Sequence, residues 1–280
     1  MNAMLMEGQA LSGRRRGILD YVMEQGAVPV GELLKRFSLS RTSINRDLLA
    51  LSAQGLIRRN GANITALPSV SAPGSILYRS RQEVAQKQAI AKLAASMVSP
   101  GDTVALDDST TALCMAESLS EIAPLTVVTN SLGLGMRLGS CETVSVIGLG
   151  GNYSPTFDAF AGMVCEQSVR AMRIDMAFVS AAAVHGLTAY HQVEEIVRAK
   201  RALMDTADCR VLLVDSRKFD TSAMSRLAML SEFDVVITDD GIDPDYAEML
   251  RDAGVTLRIA SVSPSVSDDS FTVEQRPPHE

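Results

Sequence analysis

VPVGELLKRFSLSRTSINRDLLALSAQGLIRRNG, residues 28–61, sets apolar residues at helical spacing twice, with a tight polar turn between and a basic hairpin after. Val30, Leu33, Leu34 and Phe37 mark one helix over 30–37. Ser38-Leu39-Ser40 is the turn. A second helix runs from about Arg41 to Gln54, with Ile44, Leu48, Leu49 and Leu51 toward the core, Ser40 as its N-cap and Gly55 as its stop. LIRRNGANIT, 56–65, predicts two short strands turning at Asn60-Gly61. Upstream, Ile18, Leu19, Val22 and Met23 predict a first helix over 14–25. The order predicts a winged helix-turn-helix over residues 11–66.

Such a unit offers the start of its second helix to the major groove. Here that start is Ser40, Arg41, Thr42 and Ser43, with Asn45 and Arg46 one turn on. Hydroxyls suit phosphates or base edges, Arg46 suits guanine or phosphate, and Asn45 suits adenine. Arg58 and Arg59 on the wing suit backbone phosphates. Asp47 would repel phosphate unless it orients Arg46 or binds a neighbouring arginine, so its expected role is structural. Residues 11–60 hold nine Lys/Arg against four acids, whereas the whole chain carries −7. A basic head on an acidic body fits a double-stranded DNA partner.

The rest has a different texture. Residues 64–75, ITALPSVSAPGS, are rich in Pro, Ser and Gly, and 67–75 are expected to be a linker. A helix over 82–98 then leads to seven strand candidates: 103–108, 125–129, 143–148, 175–180, 210–215, 234–239 and 255–260. Helical stretches separate most of them, which predicts an α/β domain over 76–262 built on an open, mostly parallel sheet. Residues 263–280 are polar with a Pro pair and are expected to be a disordered tail. Hydrophobic residues make up 46% of the chain and aromatics 4%, with no Trp, so the core must be aliphatic.

Cys114, Cys141, Cys165 and Cys209 are scattered, with no CxxC and no Cys/His cluster. They read as reduced, mostly buried thiols of a cytoplasmic protein, without metal. His185 and His191 read as surface or loop residues. Gly133 and Gly135 do not complete a dinucleotide fingerprint, so no cofactor is expected. No apolar run reaches membrane-spanning length, and no membrane partner is expected.

In an open parallel sheet, ligands sit at the carboxyl ends of the strands. The first such end reads Asp107-Asp108-Ser109-Thr110-Thr111 and opens a helix, whose free N–H groups attract anions. The next reads Thr129-Asn130-Ser131, and the third includes Gly150-Gly151, which permits close backbone approach. A later end supplies Lys218. Asp107, Ser109, Thr110, Thr111, Thr129, Asn130, Ser131, Gly150, Gly151 and Lys218 are thus the candidate effector residues, with Asp107 and Asn130 toward a polyol and the hydroxyls and Lys218 toward phosphate. Each loop read alone fits ordinary turn and capping needs equally well.

The stretch LSRTSINRDLLALSAQGLIRRNGA resembles the signature of DeoR-type repressors. Asn45 stands where that family usually has Arg, which points to a different operator, and the wing Asn60-Gly61-Ala62 has one Gly fewer. The resemblance continues through Lys87 with Ile90-Ala91, Leu106 to Thr111, Val127 to Ser131, Gly150-Gly151, Asp175 to Phe178, Lys200, Val214 to Phe219 and Val236 to Asp239, over about 14–260. Ser109 replaces a usual Gly. The resemblance implies a sensor domain with the fold of ribose-phosphate isomerase, a phosphorylated sugar or polyol effector, a homo-oligomer (dimer or tetramer) and a repressor. Two alternatives stand beside it. One is a sugar-phosphate isomerase-like enzyme with an appended head, in which Asp107, Glu195 and Lys218 do acid/base work. The other is a DNA-binding scaffold indifferent to ligands.

Overall fold

A computed structural model describes residues 13–53, 56–66, 75–122 and 124–262. The expected helix stop at Gly55, linker residues 67–74 and the tail from 263 lie outside the described residues. The chain forms two compact units. One is built on the chain up to Gln82 with Ser154–Asp158, the other on Glu83–Tyr153 and Ala159 onward.

In the first unit, α1 (Gly13–Gln25), α2 (Val30–Arg36) and α3 (Arg41–Ala53) precede a hairpin of β2 (Ile57–Asn60) and β3 (Asn63–Ala66). The hairpin register pairs Asn60 with Asn63 across Gly61-Ala62, and Gly61 takes a φ of 63° that favours glycine. A third strand, β1 (Ala27–Pro29), pairs antiparallel with β3 and was not legible in the sequence. Three residues are too few to show alternation. Ile18, Leu19, Val22, Leu33, Ile44, Leu48, Leu51, Ile57 and Ile64 form the core. Leu49 departs from expectation and is 71% exposed. The helical period puts Ile44, Leu48 and Leu51 on one stripe, and Leu49 falls with Asn45 and Arg46 on another. The unit also holds the single turn α4 (Ile76–Arg79), capped by Ser75 Oγ accepting from Leu77 N at 3.3 Å.

The second unit is organised by a seven-stranded sheet. Its elements are α5 (Val84–Ala95), β4 (Thr103–Leu106), α6 (Thr110–Ser120), β5 (Leu125–Thr129), α7 (Leu132–Leu138), β6 (Val144–Gly148), β7 (Asn152–Ser154), β8 (Ala159–Ala161), α8 (Met163–Arg170), β9 (Ile174–Ser180), β10 (Ala183–His185), β11 (Thr188–His191), α9 (Glu194–Thr206), β12 (Ala207–Leu213), β13 (Ser225–Met229), β14 (Val235–Asp239), α10 (Pro244–Asp252) and β15 (Leu257–Ala260). All seven expected strands are present, in the order β15-β14-β12-β9-β4-β5-β6, and every pairing is parallel. Winding reverses between β4 and β9, so the topological switch point lies there.

Ile90, Ala94, Met115, Leu119 and Leu134 of α5, α6 and α7 pack on Val104, Leu106, Val127, Phe178, Val211, Leu213 and Ile237 of the sheet. Helix α9 packs on β9 and β12. Two antiparallel additions, β7–β8 and β10-β11-β13, were not anticipated; their strands have three to five residues.

Two further sequence expectations are corrected. Only Cys165 is buried among the thiols, the other three being half-buried. His191 is buried, with Nδ1 accepting from Val193 N at 3.2 Å, because it ends β11 rather than standing in an open loop. No helix among the described residues is long and apolar enough to cross a membrane.

Phe178 is fully buried in the central strand β9. Phe178→Ala is expected to lower the stability of the second unit by about 3–5 kcal/mol, measured by urea unfolding. A loss under about 1 kcal/mol would contradict the placement of that ring in a close-packed core.

Candidate functional site

Two surfaces carry the expected chemistry, one in each unit. In the first unit, Ser40 caps α3: its Oγ accepts from Ser43 N at 3.2 Å, and its hydroxyl donates to Ser43 Oγ at 3.0 Å. Arg41, Thr42 and Arg46 are exposed, and Ser43 and Asn45 are half-buried. Arg58 and Arg59 are both exposed on β2, where only Ile57 is buried. Arg59 donates through Nε to Gly61 O at 3.2 Å and through Nη1 to Asn45 Oδ1 at 3.4 Å. The wing and α3 thus meet at Asn45.

Asp47 lies one residue beyond Arg46, yet its side chain is fully buried. Arg14 Nε donates to Asp47 Oδ2 at 2.7 Å and Arg15 Nε to Oδ1 at 3.0 Å. Both arginines stand in the first turn of α1. Of the two roles open to Asp47, the structure shows the binding of neighbouring arginines. Burial pushes its carboxyl up, but the hydrogen bonds and charges of Arg14 and Arg15 outweigh this and hold it below the ordinary Asp value. The carboxylate fixes α1 to α3 and turns its charge away from the outer face.

In the second unit, strand register lines up Leu106, Thr129 and Gly148 at the carboxyl ends of β4, β5 and β6. The turns that follow therefore lie side by side. Ser109 caps α6, its Oγ accepting from Ala112 N at 3.0 Å. Ser131 caps α7, its Oγ accepting from Leu134 N at 3.3 Å. Thr129 Oγ1 accepts from Ser131 N at 3.0 Å. Asn130 is held on both sides by Phe160: Nδ2 donates to Phe160 O at 2.9 Å, and Phe160 N donates to Asn130 O at 2.9 Å. Gly150 and Gly151 are exposed, and a Cβ on Gly151 would stand 2.3 Å from Ala161 O, so that turn requires glycine.

Thr111 Oγ1 and Asn130 Oδ1 are buried without a hydrogen-bond partner among the described residues. Such atoms call for an occupant of the adjacent space. Thr110 and Thr111 open α6, so their N–H groups have no acceptor within the helix. Lys218 donates to Ala181 O at 2.9 Å and Ser180 Oγ at 3.3 Å, and lies 3.4 Å from Asp215 Oδ2.

Asp107 faces inward. Its Oδ1 accepts from Ser109 N at 2.9 Å and its Oδ2 from Ser180 N at 2.6 Å and from Lys200 Nζ. Lys200 Nζ also lies 3.0 Å from Asp108 Oδ1. Burial depresses the Lys200 ammonium, but Asp107 and Asp108 more than compensate and raise it above its ordinary value. The Cys165 thiol is pushed up to about 11 by burial, then by the charges of Glu166 and Asp108, so it stays protonated at neutral pH. Lys200 was noticed in the sequence as part of a polar cluster with Glu194 and Glu195 and of the resemblance, without a structural role. Its signal was present: it shares a helical stripe with the buried Ile196 and Leu203. Glu195, a candidate acid/base residue, accepts from Asn152 Nδ2 at 3.2 Å. Among the described residues no group of three or more His, Cys, Asp or Glu is placed to hold a metal ion.

Residues 14–65 match the family model of the DeoR-like helix-turn-helix domain, and residues 82–240 that of the DeoR C terminal sensor domain. The uncharacterized HTH-type transcriptional regulator YgbI of Escherichia coli strain K12 is 34% identical over 255 residues, 88% of this chain and 97% of that protein. The lactose phosphotransferase system repressor of Lactococcus lactis is 32% identical, over 84% of this chain and 93% of its own. The glycerol-3-phosphate regulon repressor of Escherichia coli strain K12 is 29% identical, over 88% of this chain and 98% of its own. Among solved structures, ribose 5-phosphate isomerase A from Neisseria gonorrhoeae overlaps 48% of this chain and 53% of that chain at 15% identity and a TM-score of 0.35, too slight a likeness to carry an argument.

The Asp47 pair gives a prediction with a definite sign. A carboxyl held low in the folded state contributes stability above its unfolded value, and that contribution is lost as pH falls through the folded one. Asp47→Asn should destabilise the first unit at pH 7 by about 1–3 kcal/mol. The gap from the native chain should close as pH falls below about 3.9, the ordinary Asp value. Thermal unfolding followed by circular dichroism across pH measures it; a gap independent of pH would count against the ion pair.

Proposed function

Because the chain belongs to the DeoR family of helix-turn-helix transcription regulators, we propose that it is a repressor that binds a DNA operator through residues 11–66 and is controlled by a phosphorylated sugar or polyol bound in residues 76–262. For DNA, Arg41, Thr42, Ser43 and Arg46 on α3 and Arg58 and Arg59 on the wing are the contacts, with Ser40 and Asn45 beside them. Arg46 reads a base or grips a phosphate. Asn45 holds Arg59 as well as facing the groove, so wing and helix act together. Paired operators call for two heads, so the protein works as a homo-oligomer, and its place is the cytoplasm, where DNA and phosphorylated metabolites meet.

The observation that carries the effector reading is the pair of buried polar atoms, Thr111 Oγ1 and Asn130 Oδ1, beside a helix start with free N–H groups. The phosphate sits on the Thr110 and Thr111 N–H groups, with the Lys218 ammonium near it. Asn130 Oδ1 takes a sugar hydroxyl. Ser109, Thr129 and Ser131 shape the turns, and Gly150-Gly151 lets backbone approach the ligand. Asp107, expected at first to hold the polyol, is better read as a brace, since Ser109, Ser180 and Lys200 occupy its oxygens. The relatives' names, which speak of a lactose phosphotransferase system and a glycerol-3-phosphate regulon, point to the same ligand class. No catalysis is assigned: Asp107 is occupied as described and Glu195 binds Asn152.

The effector controls DNA binding only if it favours one arrangement of the protein over another. Fluorescence anisotropy with an operator-length duplex, a salt series and a panel of sugar phosphates tests this. Affinity should fall with salt at a log–log slope of about −0.9 for each phosphate neutralised. Arg46→Ala should cost about 1–3 kcal/mol in operator affinity. Lys218→Met should leave operator affinity intact and remove the response to effector. Salt-independent binding, or indifference to every sugar phosphate that demonstrably binds, would sink the reading.

A further inference from the structure

We propose that Lys200 is the positioning residue of the effector site: through Asp107 it fixes the turn between β4 and α6 that presents Thr110 and Thr111. The proposal rests on the sugar-phosphate reading of that site and adds to it a residue that touches no ligand.

Lys200 is 2% exposed, as far from solvent as the aliphatic residues around it on α9. Burying an ammonium costs several kcal/mol unless it is closely paired. Here its partners are two consecutive carboxylates, Asp107 and Asp108, both at most 1% exposed. The three groups sit at the switch point, where doubly wound sheets open a crevice. Asp107 closes that crevice: its backbone N–H continues the ladder to Phe178 O at 3.2 Å, and its carboxylate takes Ser180 N at the end of β9. The other oxygen takes Ser109 N, and Ser109 is the cap from which α6 starts. One carboxylate thus sets the distance between β9 and the first turn of α6, and Lys200 is its cation.

Without Lys200, the buried Asp107 and Asp108 carboxylates both lose the ammonium they share, which opposes their both staying charged. Protonation of Asp107 would weaken it as an acceptor for Ser109 N and Ser180 N, and the turn would lose its brace. Extra negative charge beside the turn would also oppose a phosphate. A methionine fills nearly the same volume, so Lys200→Met removes the charge with little change of packing. Adding Asp108→Asn restores the local balance of one negative charge and leaves Asp107 to hold both amides.

The test uses the full chain and three proteins: native, Lys200→Met, and Lys200→Met with Asp108→Asn. The probes are inorganic phosphate and ribose 5-phosphate, titrated calorimetrically, with amide hydrogen exchange at Ser109 and Ser180 measured without ligand. Lys200→Met is expected to bind the probes about tenfold or more weakly, the scale of one lost charge-assisted hydrogen bond. The same variant should exchange faster at both amides, and the double variant should regain most of both properties. A general loss of packing would not be repaired by removing a second charge.

A folded Lys200→Met with native probe affinity and native exchange overturns the proposal. So does a double variant that stays as weak as the single one. If Lys200→Met does not fold, the double variant decides: native-like binding and protection support the role, and their absence overturns it. If the native chain takes up neither probe, the sugar-phosphate reading loses its support. Amide exchange then decides alone: faster exchange in Lys200→Met supports the brace, and unchanged exchange overturns it.

Discussion

A buried carboxylate that is never left without a cation underlies each of the two surfaces. Asp107 is fully buried and held by Lys200, and Asp47 is fully buried and held by Arg14 and Arg15. In low dielectric an ionised acid with neither a cation nor hydrogen-bond donors would cost several kcal/mol. Each acid therefore ties separate elements of its unit together. Asp47 fixes the start of α1 against α3, and Asp107, with two backbone N–H groups, fixes β9 against the start of α6. Both braced elements present groups that suit an anion. In a chain of net charge −7, anion-binding surfaces survive only where acids are turned inward and neutralised.

The same logic orders the effector site. Helix α6 begins beside the switch point, so its first N–H groups are aimed by the sheet rather than by a free loop. Ser109 and Ser131 serve as caps for α6 and α7, and Asn130 is gripped by Phe160. What is left toward an occupant is small: the first-turn N–H groups, one threonine hydroxyl and one amide oxygen. That is a short donor and acceptor set, suited to a phosphate with a hydroxylated tail. Capping residues and residues with unpartnered polar atoms thus stand side by side and look interchangeable in the sequence.

Much of this was legible beforehand because the signals were periodic. The seven sheet strands are apolar runs bounded by turns, and α3 has a helical stripe with a serine cap. Short elements were not legible: β1, β7, β8 and β10 have three residues each, below the length at which alternation can be seen. Leu49 was misplaced because an apolar residue was assumed to face inward, when its phase on α3 sets it beside Arg46. The turns after β4 and β5 were read as a candidate site, but which of their residues serve as caps was not legible. Whether a serine caps a helix or meets a ligand depends on hydrogen-bond partners distant in sequence. Asp107 is the extreme case, being joined to a lysine 93 positions away.

The central claim is that one chain links operator and phosphorylated sugar through a single equilibrium. Linkage makes that claim reciprocal: the factor by which the sugar changes operator affinity must equal the factor by which operator changes sugar affinity. The most direct measurement is calorimetric titration of the active sugar phosphate into the free protein and into the operator-bound protein, beside operator affinities taken with and without the sugar. The account predicts two equal ratios, both different from one. Sugar binding that is the same whether or not operator is present would contradict it.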